Sequence, residues 1–259
     1  MRIASKLAAL LSLFAITMPA KAQTLRVAAA ADLQYAMRDL AAQFEKQSGI
    51  KVVASYGSSG NFRSQIQNGA PFDVFFSADA DFPNQLVSGG FADAGTLTVY
   101  AHGHLVLWSS AEEHLDLPRR GFETLNDPRV KKIAIANADL APYGRAAVAA
   151  LKQAGLYDAV KPKLIFGENI SQAAQFAQSR SAQVGILALS LTFADSMKHG
   201  EKWVLPANLY PVMAQAAVVV RSSTNKKAAQ AFLDFVMSRE GQQILTNYGL
   251  SLDSTAAKP

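Results

Sequence analysis

The chain has 259 residues, 50% of them hydrophobic and 17% charged, with 25 Lys and Arg against 20 Asp and Glu. That balance excludes intrinsic disorder, collagen-like repeats and a long coiled coil, and it supplies a core for one large domain or two smaller ones. The absence of cysteine excludes disulfides, zinc-thiolate sites, iron-sulfur clusters and a thiol nucleophile.

Residues 1–22 read as a secretory signal and not as part of the fold. Arg2 and Lys6 form a basic start, residues 7–18 are mostly apolar, and Ala20-Lys21-Ala22 has the small-x-small cleavage pattern. The apolar run is too short for a membrane span, which needs roughly 20 residues. Export is therefore expected, with the product beginning near Gln23, free in a periplasm and, with no cysteine after the signal, without a lipid anchor. Discounting Arg2, Lys6 and Lys21 leaves 22 basic and 20 acidic side chains. Their scatter along the chain does not make the basic stripe of a nucleic-acid binder.

Residues 25–31 predict a buried strand, after which Leu33, Ala36, Met37, Leu40 and Phe44 recur at helical spacing until Ser48-Gly49. Residues 50–56 predict a second strand, 57–61 a turn, 62–67 a short helix and 73–78 a third strand. Such βαβ order predicts a parallel sheet with right-handed crossovers. Further strands are expected at 97–100, 105–108 and 132–136, then a helix over 143–153 ending at Gly155. A strand at 163–166, a helix at 170–178, a strand at 184–188 and a long β-rich run at 211–220 follow. Two helices close the chain, one carrying Phe232, Leu233, Phe235 and Val236, the other Ile244, Leu245 and Tyr248. With no low-complexity linker, the expected class is α/β, in two Rossmann-like lobes joined by crossing strands with a ligand cleft between them. Residues 23–103 and 209–259 are assigned to lobe 1 and 104–208 to lobe 2.

In open parallel sheets the ligand crevice lies at the carboxyl ends of the strands, where helix starts offer free N–H groups and a positive dipole end. Four segments qualify: Asp32-Leu33, Gly57-Ser58-Ser59-Gly60-Asn61, Ala141-Pro142-Tyr143-Gly144 and Glu168-Asn169-Ile170-Ser171. Gly57 and Gly60 let backbone amides approach a ligand closely, and Ser58 and Ser59 add hydroxyls, a set suited to a small oxyanion or simply to a capped turn. Asn169 and Gln172 have capping-box spacing, compatible with capping alone or with binding. Tyr143 offers a phenolic donor or packs.

Catalytic signatures are thin. The serine turn is not a G-x-S-x-G elbow, no histidine is marked as its base, and neither a phosphate loop nor H-E-x-x-H occurs. His102-Gly103-His104 reads as a loop before it reads as a metal pair, and Asp73, Asp79 and Asp81 as solvated caps before a cation site.

Five segments, VAAAADLQYAM, VVASYGSSGNFRSQIQNGAPFDVFFSAD, KKIAIANADLAPYGRAA, GENISQAAQF and AFLDFVMSREGQQILTNYGLSL, together resemble the periplasmic molybdate-binding proteins of ABC uptake systems. The resemblance implies a type II periplasmic binding protein: a monomer without cofactor or catalysis that captures molybdate or tungstate between two lobes. It would deliver the anion to an inner-membrane ABC permease served by a cytoplasmic ATPase. Carriers of sulfate, phosphate or arsenate, and an exported serine hydrolase, are the alternatives. Position by position, the resemblance implies ligand contacts at Ser58, Ser59, Tyr143 and Ile170, and Asp32 and Asn169 are counted with them as ligand-binding residues, with no direct ligand to the metal atom. Two positions depart from it: Asp32 replaces a serine and Ala188 a tyrosine, for which Tyr143 is the expected substitute. Two unit charges at 4 Å in an effective dielectric of about 20 interact by about 4 kcal/mol, so an ionised Asp32 would oppose a dianion. Asp32 is therefore expected to turn away and cap its helix, with protonation and acceptance of a ligand proton as the other two routes.

Overall fold

The computed structural model describes residues 24–253, so the expected signal segment lies outside the described residues. The chain opens with β1 (Thr24–Ala30), a 3-10 turn (Ala31–Leu33) and α1 (Gln34–Ser48). This helix buries Ala36, Met37, Leu40 and Phe44, and it stops at Gly49, whose φ of 70° is the left-handed cap conformation that glycine adopts without strain. Next come β2 (Lys51–Gly57), α2 (Ser59–Gln67), β3 (Val74–Ser77), α3 (Asp81–Ser88) and β4 (Thr98–Gly103).

A second layer is built from β5 (Leu105–Ser109), α4 (Leu117–Arg120), β6 (Ile133–Ala136), α5 (Pro142–Gln153) and α6 (Tyr157–Val160). It is completed by β7 (Leu164–Gly167), α7 (Ile170–Gln178), β8 (Val184–Ala188) and β9 (Glu201–Val204). The chain then returns through β10 (Met213–Val219) to α8 (Lys226–Met237) and α9 (Arg239–Asn247). Helices α3, α4 and α6 and strand β9 carry weak sequence signals and stand outside the expected elements. His102 and Gly103 lie in β4, not in a loop.

Two five-stranded sheets result, ordered β2-β1-β3-β10-β4 and β7-β6-β8-β5-β9. The expectation of parallel sheets needs correction, because each sheet is mixed. β10 runs antiparallel to β3 and β4, and β5 runs antiparallel to β8 and β9. Each reversed strand is the first one after the chain changes sheets. Leaving one sheet at the carboxyl end of its last strand, the chain enters the other at the edge facing the first, so the entering strand must run away from that edge. The remaining pairs, β1 with β2 and β3, and β6 with β7 and β8, are parallel, and their carboxyl ends converge on the space between the sheets.

Apolar packing fixes those ends. In the first lobe Phe76 stacks edge-on against Tyr100 at 5.2 Å and Phe232 at 5.7 Å, and Phe232 packs on Phe44 at 5.0 Å. Such ring pairs contribute about 0.5–1.5 kcal/mol beyond the area they bury. In the second lobe the β5, β6 and β8 side chains are buried among Ala146, Ala147, Ala150 and Leu151 of α5 and Ala173, Ala174 and Ala177 of α7. The small residues let both helices sit close to the sheet. Gly144 is required there, since a Cβ would meet the Ala136 backbone carbonyl. Among the described residues, no helix is long and apolar enough to cross a membrane.

Candidate ligand-binding site

A small cavity lies where the strand ends of the two sheets face each other. From the first lobe it is lined by Ala30, Ala31 and Asp32 after β1, by Gly57, Ser58 and Ser59 between β2 and α2, and by Ala78 after β3. Ala141, Pro142 and Tyr143 at the start of α5 and Ile170 at the start of α7 complete it from the second. The lining contains no Lys, Arg or His. Its positive potential comes instead from three helix N-termini, whose first-turn amides have no intrahelical acceptor. Ser59, Tyr143 and Ile170 each stand in such a turn. Proline precedes Tyr143 because the first helical position needs no N–H.

Both serine hydroxyls are already used as acceptors. Ser59 Oγ accepts the Ala78 N–H at 3.0 Å, and Ser58 Oγ accepts the Asn61 N–H at 3.4 Å as the N-cap of α2. Each therefore keeps its own proton for donation, and both side chains are buried.

Asp32 does not cap a helix. The 3-10 turn begins one residue earlier, at Ala31 with Ala30 as its N-cap, and the Asp32 side chain is buried, 1% exposed. Its Oδ2 accepts from Gln215 Nε2 at 2.7 Å and from the Tyr143 hydroxyl at 3.2 Å, while Oδ1 has no hydrogen-bond partner among the described residues. Burial raises the Asp32 pKa to about 6 against the lowering effect of Gln215, Tyr143 and the residue's own backbone N–H. Burial, and then the neighbouring Asp32, push the Tyr143 hydroxyl well above its ordinary value, so it holds its proton. That proton serves Asp32. What Tyr143 presents to the cavity besides its ring is its backbone N–H.

Gln215 is absent from the sequence expectations, although a lone amide in the apolar run Met213–Val219 marks it. A register shift in the β10–β4 pairing falls between Gln215 and Ala216, the kind of irregularity that re-aims a side chain. Tyr100 donates to Gln215 Oε1 at 2.8 Å, which leaves the Nε2 end for Asp32 and Tyr143. Gly103 makes room for this cluster, since a Cβ there would collide with the Tyr143 hydroxyl and lie 2.7 Å from Gln215 Nε2.

The lobes touch around the cavity. Gly60 N–H donates to Leu140 O at 2.9 Å, Asn61 Nδ2 to Glu168 Oε1 at 2.9 Å, and Ser171 Oγ to Ala31 O at 3.1 Å. Ser190 Oγ donates to Asp32 O at 2.8 Å, and Arg145 pairs with Asp79.

Other expected groups lie elsewhere. Asn169 caps α7 by accepting the Gln172 N–H at 3.1 Å and is not part of the cavity lining. Gln172 reaches one residue further back than a capping box requires, to the Glu168 N–H at 2.6 Å. Ala188 is fully buried at the end of β8. Asp73 is buried, not solvated, and receives the Arg26 N–H at 2.7 Å and the Ser223 hydroxyl at 2.6 Å at the opposite end of β1. Asp79 caps the turn into α3 through the Phe82 N–H at 3.2 Å. Among the described residues no group of three or more His, Asp or Glu is placed to hold a metal ion.

Residues 25–251 match the family of bacterial extracellular solute-binding proteins. The chain belongs to that family. This solute-binding protein is 41% identical to the molybdate-binding protein ModA of Azotobacter vinelandii, over 90% of its own length and 92% of the relative's. Identity to ModA of Rhodobacter capsulatus is 36%, covering 93% of each chain. Its fold superposes on the solved Azotobacter vinelandii periplasmic molybdate-binding protein with a TM-score of 0.83 at 35% identity, covering 88% of this chain and 99% of that one.

Proposed function

We propose that this solute-binding protein is the periplasmic component of an ABC importer, capturing molybdate or tungstate between its lobes and presenting it to an inner-membrane permease. The observation that carries the reading is the donor set: three helix starts and two proton-bearing serines surround the cavity, and no cationic side chain lines it. A tetrahedral oxyanion there would receive the Ser58 and Ser59 hydroxyls and the first-turn amides of Ser59, Tyr143 and Ile170. Hydrogen bonds to a charged group contribute about 1.5–3 kcal/mol each, so five neutral donors suffice to replace much of the ion's hydration. Asn169 acts indirectly, by holding α7 so that the Ile170 amide faces inward.

The lobes, taken as residues 23–103 with 209–259 and residues 104–208, close on the anion as rigid bodies about the two crossing segments. The closed face is then the form that the permease distinguishes. The chain acts as a monomer and performs no chemistry on its cargo. The relatives' names and the fold they share support transport over hydrolysis, and the one carboxyl in the lining, Asp32, is bonded to Gln215 and Tyr143 and to neither serine. Asp32 favours one second reading, a hydrogen-bearing oxyanion such as phosphate or arsenate that donates to its carboxylate. Calorimetric titration of the ligand-free protein with molybdate, tungstate, sulfate, phosphate and arsenate separates the readings. Submicromolar binding of the first two, with sulfate at least a hundredfold weaker, is expected. Tighter binding of phosphate than of molybdate would overturn the reading.

A further inference from the structure

The carboxyl group at the cavity wall sets a charge problem that the neutral donors do not solve. Asp32 lines the cavity, its Oδ2 is saturated by Gln215 and Tyr143, and its Oδ1 is buried without a partner among the described residues. A carboxylate there would place a negative charge beside the dianion with no cation in the lining to offset either. A carboxylic acid would leave Oδ2 accepting its two bonds unchanged and give Oδ1, the idle atom, a proton to donate.

We propose that Asp32 takes up one proton from solvent when a fully deprotonated oxyanion enters the cavity, and that the new Oδ1–H becomes a hydrogen-bond donor to the ligand. The step is an acid–base transfer only: the proton leaves the buffer and bonds to Oδ1, and no ligand bond breaks. It rests on the oxyanion-binding reading above. Burial already raises the group toward neutrality, and an adjacent dianion raises it further, as a like charge does to any carboxyl.

The surrounding groups do not supply this proton. Tyr143 on α5 and Tyr100 on β4 are held in their neutral forms by burial, and Tyr210, before β10, is pushed up as well. Arg145 on α5 is paired with Asp79, and Glu168, before α7, accepts from Asn61. Ser171 on α7 and Ser190, in the 3-10 turn after β8, contribute hydroxyls. Arg38 on α1 is exposed beside Asp39. His102 and His104 flank Gly103, and burial followed by repulsion from His102 lowers His104.

Because the bound form holds Asp32 protonated and the free form above about pH 6 does not, affinity must fall as pH rises. The test is titration of the full-length exported protein with molybdate, a dianion throughout, from pH 6.5 to 9 in non-coordinating buffers of different ionisation enthalpy. Uptake of about one proton per molybdate near pH 8 is expected, with the association constant dropping about tenfold per pH unit. In Asp32→Asn, whose amide donates at every pH, uptake should vanish and affinity become flat. Molybdate binding in the wild type without proton uptake would overturn the coupling. So would a slope that survives unchanged in Asp32→Asn, which would assign the proton to another group. Should that variant fail to fold, the wild-type uptake and slope decide alone. No molybdate binding at any pH would instead refute the proposed function, and phosphate bound in preference, without proton uptake, would make Asp32 an ionised acceptor.

Discussion

Replacing Gly60 with alanine separates lobe closure from lobe stability. Gly60 sits in the first turn of α2, and across the cleft its N–H meets Leu140 O at 2.9 Å. A Cβ would stand 2.8 Å from that same oxygen and 3.2 Å from the Phe82 ring, whereas ordinary contact begins near 3.4 Å. Both obstacles at Leu140 are backbone, so relief requires the lobes to part by about 0.6 Å, which also stretches the Gly60–Leu140 hydrogen bond beyond useful length. Overpacking costs about 1–3 kcal/mol and the lost bond about 1 kcal/mol, a total of roughly 2–4 kcal/mol against the closed form. The molybdate Kd should therefore rise roughly 30- to 700-fold.

With the lobes apart only the 3.2 Å approach to the Phe82 ring remains, which a shift of a few tenths of an ångström relieves, and alanine is the better helix residue by about 0.5–1 kcal/mol, so the ligand-free Tm should hold or rise by about 2–4 °C. Calorimetry and thermal melts with and without molybdate read the two opposite signs. Unchanged affinity in Gly60→Ala would refute closure through this contact. A fall in both Tm and affinity would assign the glycine to folding alone.

Ser59→Ala should weaken molybdate binding about 10- to 150-fold by removing one charge-directed donor. It should also lower the ligand-free Tm, because the Ala78 N–H loses its acceptor; calorimetry and melting check both, and a Kd within twofold of wild type would remove the hydroxyl from the site. Asn169→Ala should cost about 1 kcal/mol of stability through the lost α7 cap while changing affinity less than tenfold, and a hundredfold loss would mean that the amide reaches the ligand. In the ligand-free protein Asp32 is harder to ionise folded than unfolded. Its contribution therefore turns against folding as pH rises from about 4 through about 6, by about 3 kcal/mol once both states are ionised. Urea denaturation at pH 4.5 and 7.5 should show Asp32→Asn losing less stability than wild type over that interval, and parallel losses would refute the shift.

Much of the fold was legible because period and punctuation agree. The helix over Gln34–Ser48 has its apolar stripe and glycine stop in plain view, and the serine turn between β2 and α2 is marked by its small residues. Strand direction was not legible in the two strands that follow a sheet change, since local pattern carries no record of which lobe a strand enters. Helix α3 hid because Pro83 and its short length blur the helical period. Within the site, helix starts could be read from sequence, but the company that Asp32 keeps could not. Its capping propensity is local, whereas Gln215 lies 183 residues away and Tyr143 lies 111 residues away. A single amide in an apolar strand was the available sign of that cluster, since buried amides require partners.

The two connections between sheets, from β4 into β5 and from β9 toward β10, are bonded to each other next to Gly103, where the Leu205 N–H donates to Leu105 O and the Leu105 N–H donates to the Tyr210 hydroxyl. Such an axis behaves like the spine of a book. A small swing hardly moves the pages at the binding, where Asp32 and Tyr143 sit, yet it spreads the fore-edge, where Asn61 meets Glu168. Under the proposed function, water reaches a departing anion from the fore-edge inward, so the serine turn is rehydrated before the carboxyl, and the last contact broken on release is the one nearest the spine.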